Sequence, residues 1–146
     1  MTTFLKNRDM KFSFHLLLAC IALTACGESG KTTADYRIVP CPGEIAPGDG
    51  GDFELDARTR IICTGDNDGM RTNAEFLAGY VESVVGSAPE ITGPDGLCDD
   101  GRAVILRADA PGKGGEAYEI EVSENRITVS GESDAGVFYG IQTLRK

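Results

Sequence analysis

The chemistry that the sequence suggests most directly is metal binding between Thr64 and Glu75, where acidic side chains recur as in a calcium-binding EF-hand loop. Counted from Thr64, acids at positions three, five and twelve and a glycine at position six agree with that loop. Position one carries no acid, position eight is Arg71 instead of an apolar residue, and a strand is predicted to enter the loop. We therefore favour the alternative, a turn between a strand and a helix whose acidic residues stabilise the helix N-terminus.

Two adjacent carboxylates, Asp99 and Asp100, have the residue type that acid–base catalysis uses. They lie in the turn-forming segment LCDDGR, and nothing in it indicates the apolar pocket that would raise a carboxyl pKa. We interpret the pair as part of a solvated turn, and no catalytic residue is assigned in the chain.

Charge and histidine content exclude several classes of function. The 146-residue chain has 14 basic and 23 acidic residues, and its one histidine, His15, lies in an N-terminal segment predicted to be removed. Without residues 1–25 the chain keeps 11 basic and 22 acidic residues, which gives a net charge of −11. This composition excludes a nucleophile paired with histidine and an imidazole-bound zinc site, and it argues against nucleic acid as a partner. No cofactor is predicted.

The N-terminal segment has the features of an export signal. Lys6, Arg8 and Lys11 precede the apolar run from Phe12 to Leu23, which is too short to span a bilayer. The sequence Leu-Thr-Ala-Cys-Gly at 23–27 then resembles the bacterial lipobox, which implies cleavage before Cys26 and lipid on its sulfur. An ordinary secretory signal is the alternative.

The predicted organisation follows from this signal. Residues 1–25 form a lipoprotein signal peptide, residues 26–34 a flexible tether, and residues 35–146 a single domain. We expect the protein to be exported and anchored by its lipid to a bacterial membrane, facing the periplasm or the cell exterior.

Three cysteines, Cys41, Cys63 and Cys98, remain after Cys20 leaves with the signal and Cys26 takes lipid. In an oxidising compartment three thiols allow one disulfide. Cys63 ends one predicted strand and Cys98 approaches the next long one, so we predict that these two pair, with Cys41–Cys63 as the second choice. No two cysteines are two to four residues apart, so no metal-binding spacing is present.

The domain is predicted to contain six strands and two helices in the order β-β-β-α-β-β-β-α. Apolar side chains repeat with the period of a helix over one stripe, which Gly86 ends, and a last helix begins at Ser133 or Asp134. The stripe consists of Phe76, Leu77, Tyr80, Val81 and Val84. The strands are predicted at 36–39, 53–55, 60–63, 103–106, 118–122 and 127–129, the last two as a hairpin. This order predicts an α+β fold, with a single mostly antiparallel sheet and two helices packed on one face.

The last helix has apolar residues at Val137, Phe138, Ile141 and Leu144, and it reaches Lys146 without a glycine cap. It also contains Gly136 and Gly140, each of which costs about 1 kcal/mol relative to alanine inside a helix. Two explanations remain open: a close approach to the domain's own sheet, or a second domain packed on that side. Under the second explanation Gly136, Tyr139 and Gly140 are candidates for interdomain packing. We also expect apolar surface to be exposed around Phe138 and Ile141.

A family resemblance follows from the segment 116–145. It joins Glu-Ala-Tyr, a hairpin, and the run Ala-Gly-Val-Phe-Tyr-Gly-Ile-Gln-Thr-Leu-Arg. This combination resembles the segment just before the catalytic barrel in β-N-acetylhexosaminidases of glycoside hydrolase family 20. Upstream, Ile38–Pro42 and Asn73–Leu77 resemble the family's I-V-P-x-P motif and the opening of its first helix. The resemblance spans about residues 35–146 and implies the non-catalytic N-terminal domain, an α+β sheet with two helices on one face.

The resemblance also implies a function that this chain supplies only in part. In that family an Asp–Glu pair of the barrel acts, with the glutamate as general acid, while the substrate's acetamido group attacks the anomeric carbon. Neither position lies in this chain, so no catalytic residue is carried over. The implied partners are a family 20 catalytic barrel and, through it, a carbohydrate with terminal β-linked N-acetylhexosamine, from chitin fragments or glycans.

Two other functions stay open at the level of sequence. The chain could be the accessory domain of another glycosidase family, or a stand-alone lipid-anchored binding or scaffolding domain. Tyr139 and Gln142 could contact sugar, but on this helix we favour packing or interdomain contact for both.

The export signal leads to a test of Cys26. We expect Cys26→Ala to leave the precursor unlipidated, because the lipid bonds to that sulfur. Incorporation of labelled fatty acid in cells measures this, and Cys20→Ala, inside the signal, serves as the matched control that keeps its label. Fatty acid on the Cys26→Ala protein would contradict the assignment.

Overall fold

A computed structural model describes residues 42–48, 51–98, 101–110 and 114–145, which belong to one compact unit spanning residues 35–146. The predicted strand at 36–39, the predicted lipidation site Cys26 and the pair Asp99–Asp100 lie outside the described residues, as does the side chain of Cys98. Among the described residues, no helix has the length and apolar character needed to cross a membrane.

The described part of the chain forms one five-stranded sheet. Its strands in chain order are β1 Arg60–Cys63, β2 Ile91–Thr92, β3 Ala103–Arg107, β4 Tyr118–Val122 and β5 Arg126–Gly131. They lie side by side in the order β2-β1-β3-β5-β4. The first four residues of β3 are all buried, as expected for a central strand covered on both faces.

The predicted α+β fold is confirmed, but the sheet is mixed rather than mostly antiparallel. β1 pairs in parallel with β2 and β3, and β3 pairs in parallel with β5. Among the strand pairs that the structure describes, the predicted hairpin of β4 and β5 alone is antiparallel, with Ile120 opposite Val129. An 18-residue helix joins β1 to β2 and carries the chain back along the sheet, so both strands start at the same end. The strand β2 was not predicted, because two residues are too few to show the apolar alternation of a strand.

That helix, α1, spans Asp68–Val85 and has a defined cap at each end. The side-chain oxygen of Asn67 accepts a hydrogen bond from the backbone N–H of Met70 at 2.8 Å. At the other end Gly86 adopts a left-handed conformation with φ of 84°, and its N–H donates to the carbonyl of Glu82. The predicted end of the helix at Gly86 is confirmed, for the reason that only glycine takes this φ without strain.

The second helix, α2, spans Asp134–Leu144 and begins at Ser133, whose hydroxyl accepts from the N–H of Gly136 at 3.3 Å. A Cβ atom on Gly136 would lie 2.5 Å from the carbonyl oxygen of Ala117, and one on Gly140 would overlap a methyl group of Val129. Both glycines are buried. The first of the two explanations therefore describes this pair: the glycines bring α2 onto the domain's own hairpin.

Both helices cover the same face of the sheet, as predicted. Ile141 is 0% exposed in the core, so the expectation that it forms exposed apolar surface is wrong, whereas Phe138 is 37% exposed. The core on this face contains Met70, Leu77, Val81, Val137 and Ile141 from the helices and Ile61, Val104, Leu106 and Val129 from the strands.

The predicted strand at 53–55 is not a strand in the structure. Asp56 accepts hydrogen bonds from the backbone N–H of Arg58 at 2.9 Å and from the guanidinium of Arg102, also at 2.9 Å. The bond from Arg58 closes a turn directly before β1, and the bond from Arg102 connects this turn to the residue before β3. The apolar alternation arises because Phe53 and Leu55 pack against the core, and not because this segment joins the sheet.

Cys63 has a free, buried thiol that donates to the carbonyl oxygens of Gly65 at 3.4 Å and Met70 at 3.6 Å. It lies among the side chains that face the helices. The disulfide with Cys98 stays a prediction, because the side chain of Cys98 is outside the described residues, and so does the second choice, Cys41.

The close contact at Gly136 predicts that glycine-to-alanine substitutions in the two helices change the free energy of unfolding in opposite directions. Gly136→Ala should lower the free energy of unfolding by about 2 kcal/mol, because the new methyl group must displace backbone atoms. Gly79→Ala in α1, where nothing lies within 4 Å of the new Cβ, should raise it by about 1 kcal/mol. Urea denaturation followed by circular dichroism measures both. A stabilising effect of Gly136→Ala would contradict the close approach.

The position of Cys63 argues against the disulfide expected from the sequence and predicts instead that its thiol is not oxidised. The neighbouring side chain, Ile62, points to the opposite face, towards the 3₁₀ helix Pro94–Cys98, and adjacent strand residues alternate between faces. We therefore expect Cys63 to resist iodoacetamide in the folded protein and to react fully after denaturation without reductant. Peptide mass spectrometry measures this, and a peptide that joins Cys63 to another cysteine would contradict it.

Candidate interdomain surface

A cluster of aromatic side chains lies on the solvent-exposed side of the two helices. Phe76 of α1 and Phe138 and Tyr139 of α2 are 38%, 37% and 43% exposed. The ring centroids of Phe76 and Phe138 are 5.5 Å apart, and those of Phe138 and Tyr139 are 6.0 Å apart. These separations are typical of interacting aromatic pairs. With Tyr80 and Arg145, these residues form what we call the outer aromatic face.

The single apolar stripe predicted for α1 consists of two stripes in the structure. Leu77 and Val81 are buried against the sheet, whereas Phe76 and Val84 are exposed and Tyr80 is half-buried. Consecutive residues of a helix point about 100° apart, so one stripe cannot contain both sets. The prediction of a single stripe is therefore wrong. The signal for the second stripe was the spacing i, i+4, i+8 of its three residues.

Arg145 joins the end of α2 to this face. Its guanidinium carbon lies 5.1 Å from the ring centroid of Phe76 and 5.1 Å from that of Tyr80. The hydroxyl of Tyr80 donates to the backbone carbonyl of Arg145 at 3.2 Å, and the guanidinium donates to Gln142 at 3.0 Å. Each exposed cation–π contact is worth about 0.5–1 kcal/mol. The point where the chain leaves α2 is thus fixed against α1.

The predicted candidates for interdomain packing separate into two groups. Gly136 and Gly140 are buried in contact with the domain's own hairpin, which leaves them no outward surface. Tyr139 is exposed beside Phe138. Phe76, Tyr80 and Arg145 were not predicted as members of this surface, because two of them had been assigned to the buried stripe.

The acidic loop before α1 forms the turn that leads from β1 into the helix. Asn67 caps the helix and also donates through its amide to the carboxylate of Asp134 at 3.2 Å. The hydroxyl of Thr64 donates to the carbonyl of Leu106 at 3.2 Å. Within the described ranges no group of three ligating side chains is placed to hold a metal ion.

Two described carboxyl groups have clearly shifted pKa values, and both are lowered. The N–H of Arg58 lowers the pKa of Asp56, and the guanidinium of Arg107, 2.8 Å from Asp109, lowers the pKa of that carboxyl group. A general acid in a glycosidase needs the opposite shift, because it must hold its proton near neutral pH. Neither of these groups is arranged for that role.

These features define an α+β domain that exposes an aromatic surface on its helix pair. The family model described as glycosyl hydrolase family 20, domain 2, matches residues 35–146. The chain therefore belongs to glycoside hydrolase family 20, as a domain of this type, and the resemblance found in the sequence is confirmed. No match is found among curated protein sequences.

Solved structures agree with the family. The chain is similar to the family 20 β-N-acetylhexosaminidase of Streptomyces coelicolor A3(2), with 25% identity and a TM-score of 0.65, over 75% of this chain and 21% of that one. It is also similar to the N-acetyl-β-hexosaminidase of Streptomyces plicatus, with 26% identity and a TM-score of 0.59, over the same shares of the two chains. The chain thus spans about a fifth of the length of these relatives.

Proposed function

We propose that the chain is the N-terminal accessory domain of an exported, lipid-anchored β-N-acetylhexosaminidase. The enzyme would remove terminal β-linked N-acetylhexosamine from chitin fragments or other glycans. The observation that carries this proposal is the family 20 match over residues 35–146, with hexosaminidases among the similar structures. A Streptomyces plicatus variant of that group is described in complex with the product N-acetylglucosamine, which supports the sugar class.

In this proposal the catalytic groups belong to a family 20 catalytic domain, and the carbohydrate is reached through it. The shifted carboxyl groups of this chain support that division, because both are stabilised in the ionised form by arginine partners. An exposed Asp beside Arg107 attracts no proton at neutral pH and so cannot protonate a leaving group.

The lipid anchor is proposed on the sequence alone, from the charged start, the apolar run and Cys26. A tether of polar residues from Gly27 to Ala34 would let the domain stand clear of the lipid surface. An exported enzyme held in this way meets glycans outside the cytoplasm.

The proposal predicts that one of two proteins is active and the other is inactive. Residues 27–146 alone should not hydrolyse a chromogenic N-acetylglucosaminide, whereas the complete polypeptide encoded by the reading frame should. A circular dichroism spectrum of the shorter protein with helix and strand content controls for folding. Turnover that follows the shorter protein through repurification, or a complete polypeptide without a family 20 catalytic domain and without activity, would contradict the proposal.

A further inference from the structure

No further inference is drawn: the strongest candidate, the cleft of about 350 Å³ between the loop after β1, the start of α1 and strand β2, carries none, because Asn67 already caps the helix N-terminus beside it and, among the described residues, its buried hydroxyl group without a hydrogen-bond partner, on Thr92, lies against Gly96 on the opposite face of the sheet.

Discussion

The fold depends on the close approach of α2 to the hairpin of β4 and β5. A Cβ on Gly131 would lie 2.7 Å from the backbone nitrogen of Val137, and one on Gly136 would lie 2.5 Å from the carbonyl oxygen of Ala117. Helix and hairpin therefore meet backbone to backbone, at a separation that no larger residue permits. This separation sets the rotation of α2, since Val137 and Ile141 then point into the core at 0% exposure. Once these two are inward, the side chains of Phe138 and Tyr139 must point outward.

The same contact brings the two helices together at their N-terminal ends. Asn73 of α1 is buried and donates to the backbone carbonyl of Asp134 at 2.8 Å, while Asn67 donates to the carboxylate of Asp134. At the other end Tyr80 and Arg145 connect the helices through a hydrogen bond and a ring contact. Buried and exposed polar contacts thus fix both ends of the helix pair, and the outer aromatic face has a defined shape before any partner binds.

The sequence pattern correctly predicted the elements that depend on local periodicity. It failed for strand pairings, because these join residues that are far apart in the chain. The hairpin of β4 and β5 and the end of α1 at Gly86 follow from alternation and from a single glycine, and the structure confirms both. The parallel pairings of β1 could not be read from the chain, because they depend on where α1 returns it, and β2 has two residues. Phe138 and Tyr139 of the outer aromatic face were expected from the sequence, whereas Phe76 and Tyr80 were missed because periodicity detects apolar residues without telling which stripe the sheet covers.

The electrostatics of the described residues explain why this domain is unsuited to acid catalysis. The backbone N–H and the guanidinium of Arg58 hold Asp56 ionised, and Arg107, which lies 2.8 Å from Asp109, holds that carboxylate ionised. Such pairs add little stability because water screens them, and they keep the acids unfit for proton donation. What the described residues do offer is exposed apolar and aromatic area on a helix pair that polar contacts join at both ends. In the proposed glycosidase, a domain with this distribution of groups would contribute through contact rather than through proton transfer.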